Sequence, residues 1–196
     1  MHSILLQIPD QIDGFSRTEY LSVFIGFLYA AVASEFLIHW GKMFRNRNEL
    51  TFSPELIAWS LLFFVAILVN WYNVWPHHKY IGKSFGNFVL AMLPVMIFYF
   101  LAIWLFPDLE KEADMNVQFQ KNARWILLLF AGYFLSLIAS DLLVDSRSLF
   151  SINNLLRFIA VIFSIISFAR NTSRSRWLLF GIIIILFAFA IINSHD

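Results

Sequence analysis

The sequence of 196 residues contains no cysteine. This absence excludes disulfide bonds, a thiol nucleophile, a thiolate metal site and the covalent attachment of a c-type haem. Without cysteines, the sequence also does not indicate whether the protein lies in an oxidising or a reducing compartment. The formal net charge is only +1, so the chain lacks the basic footprint that nucleic-acid binding requires. We therefore expect no nucleic-acid partner.

Charged residues are scarce as well. Lys, Arg, Asp and Glu make up 14% of the chain, whereas soluble globular domains average about 25%. Hydrophobic residues account for 60% and aromatic residues for 18%. A soluble domain of this size would still expose roughly a third of its surface to water, and so few charges could not cover it. Lipid is the expected solvent, and the sequence predicts an all-α polytopic membrane protein.

Six apolar runs are long enough to cross a bilayer, which takes about 20 residues each. The predicted spans are residues 20–38, 54–75, 85–106, 125–144, 149–169 and 177–192. They divide the chain into an amino-terminal tail (1–19), three helices (20–106), a connection (107–124), three more helices (125–192) and a short carboxy-terminal tail (193–196). These connections leave no room for a separate soluble catalytic domain.

Positive charge is unevenly distributed between the two sides of the predicted membrane. The first, third and fifth connections hold nine Lys and Arg residues, whereas the amino-terminal tail and the even connections hold four. Since the side that retains positive charge is the cytoplasm, the odd connections should be cytoplasmic and both termini outside. In its general composition the chain resembles small inner-membrane proteins of bacteria, although no motif identifies a family.

The first and fourth spans have similar sequences. Aligning residues 24–38 with residues 130–144 gives five identities in fifteen positions and places Glu35 opposite Asp141. Three spans in each half would make a true repeat inverted, as in many transporters. The alternative is that two apolar helices composed of only a few residue types align by chance. Two inverted three-helix repeats therefore stay a hypothesis.

The same two spans carry small residues at every fourth position. Such ridges allow helices to approach closely, so helix packing, within the chain or between copies, is the first interpretation. The second is that the serines line a polar path. The residues concerned are Gly26, Ala30 and Ser34 in the first span, and Gly132, Ser136 and Ser140 in the fourth.

Three ionisable residues lie inside the predicted spans, where each costs about 2.5 to 3.5 kcal/mol on insertion scales. Glu35 is followed one turn later by His39, which is typical of either a proton or cation relay or a polar helix end. Asp141 and Arg157 lie on helices joined by a tight turn. We predict that these two residues form an ion pair, with a structural role as the first interpretation and a gating or substrate-binding role as the second.

Two asparagines near the predicted outer end of the second span are further candidates for the polar path. Asn70 and Asn73 share a face of the second span, and asparagines in such positions commonly bond across helices. The neighbouring histidines His77 and His78 lack a nearby carboxylate cluster, so no metal site is predicted.

No catalytic motif occurs in the sequence: there is no HExxH, no nucleophile elbow and no Gly-rich phosphate loop. We expect neither an enzyme nor a cofactor. Two functions remain open. The first is a channel or transporter subunit for an ion or small solute. The second is an oligomeric membrane sensor or anchor that signals to a cytoplasmic protein. In both cases membrane lipid and further copies of the chain are the expected partners.

Overall fold

A computed structural model of the protein describes residues 11–12, 15–74, 81–106, 114–143 and 149–192. Six long helices account for most of this part of the chain. They are α1 (Arg17–Arg45), α2 (Pro54–Val74), α3 (Phe85–Leu105), α4 (Met115–Leu143), α5 (Ile152–Arg170) and α6 (Ser173–Ile192). Before α1, the two-residue strands β1 (Gln11–Ile12) and β2 (Phe15–Ser16) pair antiparallel. The prediction of an all-α fold is confirmed apart from this short ladder.

Helices α1 to α5 are long and apolar enough to cross a membrane. Their outward surfaces are also apolar: Phe27 is 71% exposed and Phe85 is 76% exposed. Soluble monomers rarely expose large contiguous apolar areas, so this surface indicates contact with lipid. The chain is therefore an integral membrane protein, and α6, with the apolar run that begins at Trp177, stays the predicted sixth span.

Two helices are longer than the sequence predicts. The α1 helix continues beyond residue 38 to Arg45, and α4 begins at Met115 rather than at Trp125. The predicted connection 107–124 is therefore shorter, because residues 115–124 are helical. An Asp114 carboxylate oxygen accepts the backbone N–H of Asn116 at 2.9 Å and caps the helix. Burial of Met115 and Phe119 explains why this polar segment is helical.

Capping residues fix the other boundaries. Ser53 accepts the backbone N–H of Leu56 at 3.3 Å, and Pro54 suits the first helical position because its missing N–H would have no helical partner. Ser151 caps α5 in the same way. Asn171 ends α5 in the left-handed conformation with φ 43°, which Asn tolerates better than most residues. The resulting sharp turn places the start of α6 directly beside the end of α5.

The α4 helix is the centre of the bundle. It packs extensively against α3 and α5 and also touches α2, whereas α1 packs against α2 and α3, and α6 packs against α5. Aromatic rings fill the middle of the bundle. The Phe130 ring lies 5.1 Å from that of Phe63 and 5.8 Å from that of Trp59, measured between centroids. Offset and edge-on ring contacts of this kind add to the stabilisation from area burial.

The described parts of the three odd connections meet at one end of the bundle, which we call the basic end because basic residues such as Arg47 and Arg174 lie there. Thr51 in the first connection pairs with Asp114 at the start of α4. The Ser173 hydroxyl at the start of α6 donates to the Glu55 carboxylate in α2 at 3.0 Å. The α2, α4 and α6 helices therefore all begin at the basic end, and the polar groups at their starts lie close together.

Candidate functional site

A buried ion pair joins α2 and α6 at the basic end. The guanidinium of Arg176 donates from Nε to Oε1 of Glu55 and from Nη2 to Oε2, the second contact at 3.0 Å. Its Nη1 donates to Oδ1 of Asn171 at 3.3 Å. The Arg176 guanidinium also lies over the Phe119 ring, 5.5 Å from its centroid. All three guanidinium nitrogens are thus bonded, and we name Glu55 and Arg176 the basic-end ion pair.

No sequence motif points to this pair. Glu55 stands in the first turn of α2, where a carboxylate interacts favourably with the helix dipole. Arg176 stands among the basic residues of the last connection, and 121 positions separate the two residues in the chain. Only the folded arrangement shows that they meet, and both of their side chains are almost fully buried.

A cavity of about 310 Å³ opens beside the basic-end ion pair. Its described lining combines carboxylate, amide and hydroxyl groups with aromatic rings, and no Lys or Arg is among the described lining residues. The lining residues are Thr51, Phe52, Ser53, Pro54, Glu55, Asp114, Asn116, Gln120, Ser173 and Trp177. A small polar molecule would find hydrogen-bonding partners here.

The second ion pair lies within the membrane-spanning helices α4 and α5, as the sequence predicts. Nη1 of Arg157 is 2.8 Å from Oδ2 of Asp141. The same nitrogen donates to Oδ1 of Asn154 at 3.1 Å and to the backbone carbonyl of Leu137 at 3.4 Å. The Asp141 side chain is 9% exposed and that of Arg157 is 22% exposed. We name these two residues the intramembrane ion pair.

A third helix contributes to the polar groups on this side of α4. Nδ2 of Asn70 in α2 donates to the Tyr133 hydroxyl at 2.7 Å and also to the backbone carbonyl of Ala66. Tyr133 lies eight positions before Asp141, which at 3.6 residues per turn is just over two turns along α4 and about 80° around its axis. Sequence analysis missed Tyr133 because an aromatic residue in a span is most often part of the core.

These contacts define a polar column that crosses from α2 through α4 to α5. Its members form two bonded groups, Asn70 with Tyr133 and Arg157 with Asp141 and Asn154, which lie about two turns apart along α4. Asn154 is fully buried, which shows that the column reaches into the packed interior of the bundle.

The structure separates Glu35 and His39 from the polar column. The Glu35 side chain is 46% exposed on α1, and its Oε2 lies 3.9 Å from Nε2 of His39, whose ring stacks on Phe106. This carboxylate and imidazole are therefore neighbours, as the helical spacing predicts, but they face the surface of the bundle. Asn73, at the end of α2, is also exposed. The relay role predicted for these residues stays a prediction.

The two ridges of small residues have different environments. A Cβ added to Gly26 would lie 3.4 Å from the Trp71 indole nitrogen of α2, whereas one added to Gly132 would meet no atom within 4 Å. The hydroxyl of exposed Ser34 bonds to the carbonyl of Ala30. Gly26 thus lies at a close helix contact within the chain, but Ser34 and Gly132 do not. Whether the ridges pack copies of the chain together stays a prediction.

In the second ridge, Ser136 is buried and its hydroxyl donates to the backbone carbonyl of Tyr133 at 2.7 Å, while Ser140 is half-buried. Both lie on α4 close to the polar column in sequence. The histidines His77 and His78 fall outside the described residues. The chain matches no known family model, no curated protein and no solved structure, so its function is inferred from its own residues.

Proposed function

We propose that the protein is a channel or transporter subunit that moves an ion or small solute across a bilayer, and that the polar column forms part of the path. The carrying observation is the intramembrane ion pair, with Arg157 and Asp141 2.8 Å apart inside apolar helices. Ionisable groups in such helices are expensive and, when present, usually mark a substrate or ion pathway.

The placement of the polar groups supports this proposal. The polar column lies towards one end of the bundle, and the cavity lies at the basic end. A path through the bundle therefore has polar groups at both ends, with the Phe63 and Phe130 rings between them. Transport would require those rings to move apart, as in proteins that open alternately to each side.

Helix lengths support the proposed inverted repeat. The first helix of each half, α1 and α4, has 29 residues, and the remaining four helices have between 19 and 21. The sequence match places Glu35 opposite Asp141 in these two long helices. We propose that the halves derive from one three-helix unit, with Asp141 paired inside the bundle and Glu35 at its surface.

Flux through proteoliposomes tests the function. We expect the purified protein to carry protons, potassium or acetate across vesicles, read with a pH-sensitive or potential-sensitive dye. Asp141→Asn should lower that flux at least tenfold, because it removes the charge that holds Arg157 in the column. Glu49→Gln removes an exposed carboxylate in the first connection and is the matched control, with flux expected to stay unchanged.

The same assay separates the proposed path along the polar column from a path along α1. Glu35→Gln should leave flux unchanged, because the Glu35 side chain faces the bundle surface. A loss of flux in Glu35→Gln with full flux in Asp141→Asn would place the path along α1 and contradict the polar column. Size-exclusion profiles of each variant would show that it is folded.

A second candidate function is an oligomeric sensor or anchor that binds a cytoplasmic protein. The observation in its favour is the aromatic core, which closes the bundle between the two ion pairs. A membrane anchor needs no path, and a bundle filled with aromatic rings suits that role. Absence of flux for protons, potassium and acetate, together with stoichiometric recovery of one soluble protein from native membranes, would favour this candidate.

A further inference from the structure

The two paired arginines use their guanidinium groups differently. Arg176 directs its Nε and Nη2 edge at the Glu55 carboxylate, with one nitrogen to each oxygen. This two-pronged edge matches the spacing of carboxylate and phosphate oxygens. In the basic-end ion pair, the Nε and Nη2 edge of an arginine therefore binds a carboxylate.

All polar contacts between Arg157 and the residues that the structure describes go through Nη1. That nitrogen faces the Asp141 carboxylate, the Asn154 amide oxygen and the Leu137 carbonyl. Its Nε and Nη2 bond to none of the residues that the structure describes. Among the described residues, nothing fills on Arg157 the edge that Arg176 fills with a carboxylate, and unused donors are costly within a membrane-spanning helix.

We propose that a small carboxylate or similar oxyanion binds to the Nε and Nη2 edge of Arg157, and that this class of anion is the transported solute. The proposal rests on the function proposed above, because it names the solute of the same path. Asp141 stays bound to Nη1 on another side of the guanidinium, so the anion can bind without breaking the intramembrane ion pair.

The position of Arg157 suits an anion that arrives from the end of the bundle opposite the basic end. Arg157 is the sixth residue of α5, which begins at Ile152, so it lies roughly 8 Å along the helix axis from that end at 1.5 Å per residue. Its side chain is partly exposed, at 22%. Because Asp141 already balances the charge of Arg157, we expect weak binding, with a Kd on the order of 1 mM.

Phosphate on a lipid headgroup shares this chemistry with a free anion, so the test has an arm for each source. The full chain is purified in a maltoside detergent, which contains no phosphate, and its thermal unfolding is followed by tryptophan fluorescence. Sodium acetate, sodium phosphate and phosphatidylglycerol are the three probes, with sodium chloride as the control for ionic strength. Stabilisation at saturating probe then reports binding.

Arg157→Lys is the decisive variant, because lysine keeps the charge facing Asp141 but lacks the two-pronged edge. We expect acetate or phosphate to raise the unfolding temperature of the wild type and the apparent Kd to rise about tenfold in Arg157→Lys. Arg174→Lys, an exposed arginine of α6, should bind like the wild type. Stabilisation by phosphatidylglycerol alone, lost in Arg157→Lys, would identify a lipid phosphate as the occupant.

The proposal is overturned if none of the probes stabilises the wild type more than it stabilises Arg157→Lys. Should Arg157→Lys fail to fold, Asn154→Asp provides the test, since a second carboxylate beside Arg157 should weaken acetate binding. Acetate flux in proteoliposomes separates this idea from the proposed function. Binding without flux keeps the anion site and contradicts transport, whereas flux that is equal in Arg157→Lys keeps transport and contradicts the anion site.

Discussion

Arg176→Met should lower the free energy of unfolding by about 3 to 5 kcal/mol, because it leaves the Glu55 carboxylate buried without its counter-charge. The Arg176 side chain is 1% exposed and that of Glu55 is 6% exposed, so both charged groups are almost fully withdrawn from solvent. Unfolding in mixed micelles with increasing dodecyl sulfate, followed by tryptophan fluorescence, measures the effect. The seven tryptophans provide the signal.

Arg174→Met is the matched control for this experiment. Arg174 lies two residues away in the same helix but is exposed, and exposed substitutions usually change stability by no more than about 0.5 kcal/mol. The double variant Glu55→Met with Arg176→Met should recover most of the loss, because replacing both members of a buried pair by apolar residues is often neutral. Equal stability of Arg176→Met and the wild type would contradict the structural role of the pair.

Arg157→Leu should lower the free energy of unfolding by about 2 to 3 kcal/mol and reduce the yield of folded protein. The cause is similar, because the Asp141 carboxylate loses the guanidinium nitrogen that lies 2.8 Å from it. The expected effect is smaller than for Arg176 because the Arg157 side chain is 22% exposed, and the solvent that reaches it screens the charge. The same unfolding assay compares both arginines directly.

A double variant tests whether the charge or the shape of Arg157 determines its contribution to the free energy of unfolding. Asp141→Asn with Arg157→Gln keeps polar groups of similar size and removes both charges, so part of the stability lost in Arg157→Leu should return. Lys121→Leu, at an exposed position of α4, controls for the loss of one positive charge. If Arg157→Leu folded and unfolded like the wild type, the intramembrane ion pair would contribute nothing to the bundle.

Hydrophobic patterning predicted the architecture because a bilayer demands long apolar helices. The start of α2 at Pro54 was predicted at the correct residue, since a serine followed by proline is a strong start signal and Ser53 does cap the helix. The ends of α1 and α4 at the basic end were predicted too short. Hydropathy marks the apolar part of a helix, whereas these two helices continue into polar residues at the basic end.

The intramembrane ion pair was predictable because Asp141 and Arg157 lie on helices joined by a short turn, so neighbouring helices bring them together. The basic-end ion pair was not, because Glu55 and Arg176 come from helices far apart in sequence. Glu35 shows the opposite limit. Its charge and position in a span are typical of either a relay or a polar helix end, and a single sequence does not say which side of a helix faces the bundle.

All of these assignments require α5 to cross a membrane between the connection that contains Ser148 and the one that contains Thr172. The chain has no cysteine, so Ser148→Cys and Thr172→Cys each introduce one unique thiol for a membrane-impermeant maleimide applied to sealed cells. We expect Ser148→Cys to react in intact cells and Thr172→Cys to react only after permeabilisation, since positive charge marks the cytoplasmic side. Reaction of both thiols from the same side would contradict the account.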